Sequence, residues 1–172
     1  MKILTYISII FCLSFLSDIP KNYQKKIDKE VYNTFEITSY EKIKIDLPQD
    51  IIDRMSADFK PEAFFKIKKE EDHLGYFYFG KAPSKTDEFD FVIIFDQEMI
   101  IKKMKILAYR EDYGGEISSK RWLRQFDGLD KNSSLRYGSD IMGISGATIS
   151  ARSMTNTVNS ILLNLSKFHQ QP

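Results

Sequence analysis

Residue types and spacing that could do chemistry come together at Ser145-Gly146-Ala147-Thr148. The string precedes an apolar stripe at helical spacing, with Ser150 as the predicted N-cap, so these small residues form a turn that feeds a helix N-terminus. A turn of this kind offers free backbone N–H groups and the positive end of the helix dipole, which together hold a phosphate. Gly146 and Ala147 let a ligand approach the backbone, while the hydroxyls of Ser145 and Thr148 can donate to a phosphate or be esterified by it.

The remaining inventory narrows the options. One cysteine, Cys12, and two histidines, His73 and His169, are too few for a mixed Cys/His zinc site, an iron–sulfur cluster or a disulfide framework. His73 falls in a polar turn and His169 in the C-terminal tail, which reads as two surface histidines. Ser145, Ser150 and Ser153 have no histidine near in sequence and no Gly-x-Ser-x-Gly elbow, which argues against a hydrolase. No catalytic residue and no metal ligand is assigned, and redox or transfer chemistry would have to borrow a cofactor. With 25 basic and 24 acidic residues the formal charge is +1, so no field favours a polyanion and no nucleic-acid partner is expected.

The elements that must position the turn follow from periodicity. Met154, Val158, Ile161, Leu162, Leu165 and Phe168 form the stripe of the C-terminal helix, with Asn156, Asn159, Asn164 and Lys167 on its other faces. From Phe64 to Tyr109 the period changes to that of strands: Phe64–Lys68, Leu74–Phe79, Phe89–Phe95 and Met99–Tyr109. A polar turn at 70–72, a loop at Ala82-Pro83-Ser84 and a turn at 96–98 connect them. Short connections demand antiparallel pairing, which predicts a four-stranded meander. The charged run Lys66 to Asp72 reads as a solvated edge. Tyr76–Phe79 and Phe91–Phe95 are apolar enough to be covered on both faces, and the C-terminal helix is the candidate for the second one. Lys21 to Phe35, with Ile27, Val31 and Phe35 at four-residue spacing, predicts a short amphipathic helix capping the sheet. The fold class is α+β, a twisted antiparallel sheet flanked by helices. At 172 residues, of which 42% are apolar, the chain suits one domain over 18–172.

Residues 3 to 17 carry no charge, follow Lys2 and end at Asp18. That length fits an export signal better than a spanning helix, either cleaved as a signal peptide or retained as an N-terminal anchor. The mature protein would contain no cysteine, which suits an exported chain.

Ser145-Gly146-Ala147-Thr148-Ile149-Ser150, followed by Arg152-Ser153-Met154 and Val158-Asn159, resembles the signature of the FMN-binding domain family. That family includes the flavin subunits of the sodium-pumping NADH:quinone reductase and of Rnf-type complexes. The resemblance implies that the threonine at Thr148 is joined to FMN by a phosphoester, installed by a flavin transferase that splits FAD. A second segment, Ile106 to Ile117 with Trp122 and Phe126, resembles the family's strand, acidic residue and glycine-rich loop before a tryptophan-bearing helix. The two segments together cover Phe89 to about Leu165. The chain departs from the family at Met142, where the transferase motif has Asp and the nearest acid is Asp140, and at Asp112-Tyr113, where the family has Thr-Pro.

Read through this resemblance, Ser145, Gly146, Ala147, Thr148, Ile149 and Ser150 hold the phosphate end. Gly114 and Gly115 give the ring a flat slot whose N–H groups bond its N1/O2 edge. Tyr113 shields a ring face, and Glu111 or Arg110 tunes the potential, or else these three are ordinary loop residues. Trp122 belongs either to the core or to a cofactor stack. The implied protein is an exported, bacterial, FMN-carrying electron-transfer flavoprotein of the periplasm or outer membrane face. Its FMN is covalent at Thr148 or held without a bond, and its partners are a flavin transferase and a membrane or periplasmic redox protein. The rival is a secreted binding module of the same fold without covalent flavin. Reduction of a separate small substrate would need a second site, for which few residues remain.

Overall fold

The structure, a computed structural model, describes residues 19–168. The apolar run at 3–17, Cys12 and His169 lie outside the described residues, as does the side chain of Phe168. Five strands pair in sequence order as one antiparallel sheet: β1 (Glu41–Lys44), β2 (Phe64–Lys69), β3 (Asp72–Pro83), β4 (Glu88–Phe95) and β5 (Ile101–Ala108). The predicted meander is present with one strand more. β1 is fully exposed and pairs Glu41 to Lys44 against Lys68 to Phe65, so the charged β2 strand is interior and β1 is the edge. Its Glu-Lys-Ile-Lys sequence has no apolar alternation to reveal it, and three charges in four suit a solvated edge.

The predicted loop at Ala82-Pro83-Ser84 starts too early. β3 runs through Pro83, whose partner is Glu88, leaving 84–87 as the hairpin connection. His73 likewise lies in β3, its ring edge-on to Tyr76 at 4.6 Å between centroids. Irregular register at Asp90/Phe91 and Ile94/Phe95 marks bulges between β4 and β5, which increase local twist.

Both sheet faces are covered, each by its own helix. Phe65, Ile67, Phe77, Val92, Ile94 and Leu107 face helix α1 (Lys21–Phe35), which buries Tyr23, Ile27 and Val31 against them. The opposite face presents Phe64, Tyr78, Phe91, Ile93, Phe95 and Met104. Helix α4 (Thr148–Phe168) covers that face with Met154, Val158, Ile161, Leu162 and Leu165, all at most 2% exposed. Each such side chain contributes about 1.5–3 kcal/mol of burial, so the alternation of the central strands dictates two helical layers.

Asn164 departs from its predicted polar face. It is fully buried, where its side-chain oxygen accepts from the Ser56 N–H at 2.9 Å and its amide donates to Ser56 Oγ at 2.7 Å. Asn159 is used similarly, accepting from Leu135 N–H and donating to Leu135 C=O. These two amides fasten α4 to the loop after the short helix α2 (Gln49–Ile52) and to the loop that precedes α4.

Candidate functional site

Helix α4 begins at Thr148, inside the predicted turn and ahead of the predicted cap at Ser150. The Ala147 carbonyl accepts from Ala151 N–H at 2.9 Å, so Ala147 is the N-cap and Ser150 lies in the first turn. Ala147 has no side-chain oxygen, and the amides of Thr148, Ile149 and Ser150 precede the first intrahelical bond. Ser150 is instead buried, with its hydroxyl 3.1 Å from that of Tyr109. The turn leading in is closed by Ala147 N–H donating to Ile144 C=O at 3.1 Å, with Gly146 at φ 79° in its third position. That left-handed conformation is the reason for glycine there.

The glycine-rich loop after β5 meets this turn. Gly114 has φ 80°, and a Cβ built on it would lie 2.4 Å from the Ala147 Cβ, so only glycine lets the two backbones touch. Gly115 does not share that contact. It opens the short 3-10 helix Gly115–Ser118, with nothing within 4 Å of where its Cβ would be.

Between the loop and the turn lies a groove of about 620 Å3, lined by Lys85, Thr86, Tyr109, Glu111, Asp112 and Tyr113 on one side and by residues 146–150 on the other. Thr148 is exposed in its wall, Ile149 is 52% exposed, and Tyr113, 81% exposed, stands at the rim. Ser145 is exposed but does not line the groove. Lys85, Thr86, Tyr109 and Asp112 line it without having been assigned to the site from sequence. For Lys85 and Thr86 the signal was the length of β3: continuing its alternation through Pro83 moves the hairpin tip onto the flank of the turn.

Glu111 and Arg110, adjacent in sequence, are committed to opposite faces. The Glu111 carboxylate accepts from Ser84 Oγ at 2.6 Å, Thr86 N–H at 2.7 Å, Thr86 Oγ1 at 2.9 Å and Asp87 N–H at 3.3 Å. These hydrogen bonds, led by that from Ser84, pull its pKa down to about 2 and clamp the 84–87 hairpin beside the groove. Arg110 turns away beneath α1, pairing with buried Asp90, which also accepts from the Tyr23 hydroxyl at 2.9 Å. It does not line the groove, which removes it from the candidate ring contacts.

Trp122 is core, 6% exposed and edge-on to Phe126. Its indole N–H donates to the Met142 carbonyl at 2.8 Å, and Met142 N–H donates to Gln125 at 2.7 Å. The segment leading into the turn is thereby fixed to helix α3 (Lys120–Leu123). The Met142 side chain is 65% exposed, and Asp140 is engaged by Arg136, whose N–H and Nε donate to it. No group of His, Cys, Asp and Glu suited to a metal ion occurs among the described residues.

Residues 85–163, less than half of the chain, match the family model of the FMN-binding domain. This segment belongs to the FMN-binding domain family. The matched range of the FMN-binding domain contains the hairpin tip, the glycine loop, the small-residue turn and most of α4, which are the parts that enclose the groove. None of the curated proteins compared with the chain matches it.

The groove suits FMN on two counts: its volume is that of a small-molecule site, and residues 148–150 in its lining open a helix N-terminus. Gly114 and Gly115 do not line it; Gly114 acts by letting the loop that carries Asp112 and Tyr113 close on Ala147.

A second groove, of about 660 Å3, lies on the other side of Thr148 and Ile149. Much of its wall comes from residues 57–83, distant in sequence from the small-residue turn.

Proposed function

We propose that this protein is an exported electron carrier whose FMN is esterified through its phosphate to Thr148. The observation that carries the reading is the contact of Gly114 with Ala147, which joins the glycine loop to the helix terminus beside an exposed threonine. FMN, when bound, supplies one- or two-electron transfer. The chain's own residues hold and orient it: the amides of Thr148, Ile149 and Ser150 meet the phosphate, Gly114 sets the position of the loop whose Asp112 and Tyr113 border the ring, and Tyr113 covers its outer face. Ser145 and Gly146 keep the approach to Thr148 narrow and unhindered. Glu111 acts on the site through the 84–87 hairpin, by holding Lys85 and Thr86 in place.

Exposure of Thr148 suits modification by a flavin transferase, and the uncharged run before Asp18 suits export, either with cleavage or with retention as an anchor beside a membrane or periplasmic redox partner. No helix among the described residues is long and apolar enough to cross a membrane.

One observation favours a second reading. Met142 is exposed where the family's transferase motif has an acid, which supports a secreted binding module that does not carry covalent flavin. Intact mass and visible absorbance after co-expression with a flavin transferase separate the two. The carrier gains one esterified FMN on the Thr148 peptide and is yellow after denaturation, and Thr148→Val abolishes that gain with the fold unchanged. Flavin that persists on the denatured Thr148→Val chain overturns the attachment site. An unmodified wild type that also fails to bind added FMN establishes the module.

A further inference from the structure

The second groove runs along the first four turns of α4 and shares only Thr148 and Ile149 with the flavin groove. Lys60, Tyr78 and Lys81 in its wall precede residue 85, so this site is built by joining the N-terminal half of the chain to the FMN-binding domain.

Its unpaired groups are mainly donors. Tyr78, 3% exposed, accepts from the Lys60 N–H at 3.2 Å, and its own phenolic proton has no acceptor among the described residues. Burial raises its pKa to about 12, so the hydroxyl keeps that proton. Ser153 Oγ is buried and has no hydrogen-bond partner among the described residues. Arg152 lies over the Tyr137 ring at 5.4 Å and, like Lys60, makes no ion pair among the described residues. Lys81 is paired at 3.8 Å with Glu88, which also lines the groove and is thereby neutralised. Buried donors without acceptors, next to unpaired cations, are satisfied by an anion bearing acceptor oxygens. Asp58 lines the same groove without an ion pair and opposes a second negative charge.

We propose that the second groove binds a small organic monocarboxylate, with Arg152 and Lys60 meeting its charge and Tyr78 and Ser153 donating to its oxygens. The site stands independently of flavin attachment.

Isothermal titration of the full chain, flavin-free and FMN-loaded, with benzoate, benzamide and inorganic phosphate tests it. Benzoate is expected to bind both forms, with benzamide and phosphate weaker by about tenfold or more. Arg152→Gln, at an exposed position, should weaken benzoate by about tenfold, and Ser153→Ala and Tyr78→Phe each by a smaller factor. Circular dichroism of Arg152→Gln and Ser153→Ala controls for folding if the core variant Tyr78→Phe is unstable. Absence of benzoate binding, equal affinity for benzamide or phosphate, or unchanged affinity in Arg152→Gln overturns the proposal. Loss of benzoate binding on loading with FMN assigns the groove to the flavin and overturns it too. A chain that takes no FMN still gives the decisive result in its flavin-free form, so failure of this site and failure of the carrier reading remain distinct.

Discussion

Helices α1 and α4 cover opposite faces of one sheet with similar apolar stripes, yet they begin very differently. Lys21 and Asn22 are exposed, but the first turn of α1 is tied to the sheet through Tyr23, which joins Asp90 and Arg110 beneath the helix, and in the next turn Lys26 donates to the Leu107 carbonyl at 2.7 Å. The first turn of α4 stands open, with Thr148 and Ile149 exposed between two grooves. The apolar spacing of a helix fixes which face it covers, and the surroundings of its N-terminus decide whether that terminus can serve a ligand. α1 is committed to the fold throughout. α4 divides itself, its later turns to the core and its first turn to the site.

Core truncations should be the largest test of this contrast. Leu162→Ala and Ile27→Ala each remove a fully buried side chain and should cost about 2–5 kcal/mol in urea unfolding. Flavin content of the folded fraction should be unchanged in both; a folded Ile27→Ala protein that has lost its flavin would place the α1 face in the site.

Arg110→Met comes next. It leaves Asp90 buried with Tyr23 as its remaining donor, and the loss should be about 2 kcal/mol, below that of a fully buried pair because Arg110 is 37% exposed. Equal stability of Arg110→Met and wild type would show that the network contributes nothing net.

Gly114→Ala bears on the other side of the comparison. A side chain at φ 80°, directed onto Ala147, should cost about 1–3 kcal/mol and open the contact between loop and turn. FMN titration should show weakened binding beyond what the lower stability explains, and normal flavin affinity would detach the loop from the site.

The smallest effect concerns Glu111. Its pKa is held at about 2 in the folded protein against 4.5 ordinarily, so its stabilising contribution is complete above the unfolded value and is lost as pH falls from about 4.5 towards 2. Glu111→Gln should flatten the unfolding midpoint in that window and leave the neutral-pH flavin spectrum nearly unaltered. A shifted flavin potential in this variant would instead give Glu111 a direct influence on the ring.

Both long helices were legible because burial imposes a period, and α1 occupies the predicted bounds Lys21–Phe35. The central strands were legible for the same reason. β1 was not, since an exposed edge imposes no apolar alternation, and neither was Asn164, whose burial depends on Ser56 more than a hundred residues away. The turn and the glycine loop were visible as motifs, but their contact was not, because it depends on a φ value and a missing Cβ. Ser150 illustrates the limit most plainly: a good N-cap residue by type, it is drawn inward by the Tyr109 hydroxyl, and Ala147 occupies the cap.

The order of strands has a consequence for how this chain can be cut. The family segment starts at residue 85, between β3 and β4, yet β4 is a central strand whose outer neighbour, β3, lies before that boundary. A fragment trimmed to the FMN-binding segment would expose Phe91–Phe95 along an unprotected hydrogen-bonding edge and strip α1 from Val92 and Ile94. Such an edge invites intermolecular pairing and precipitation. The heritable unit that sequence comparison outlines is therefore smaller than the unit that must be synthesised to remain in solution.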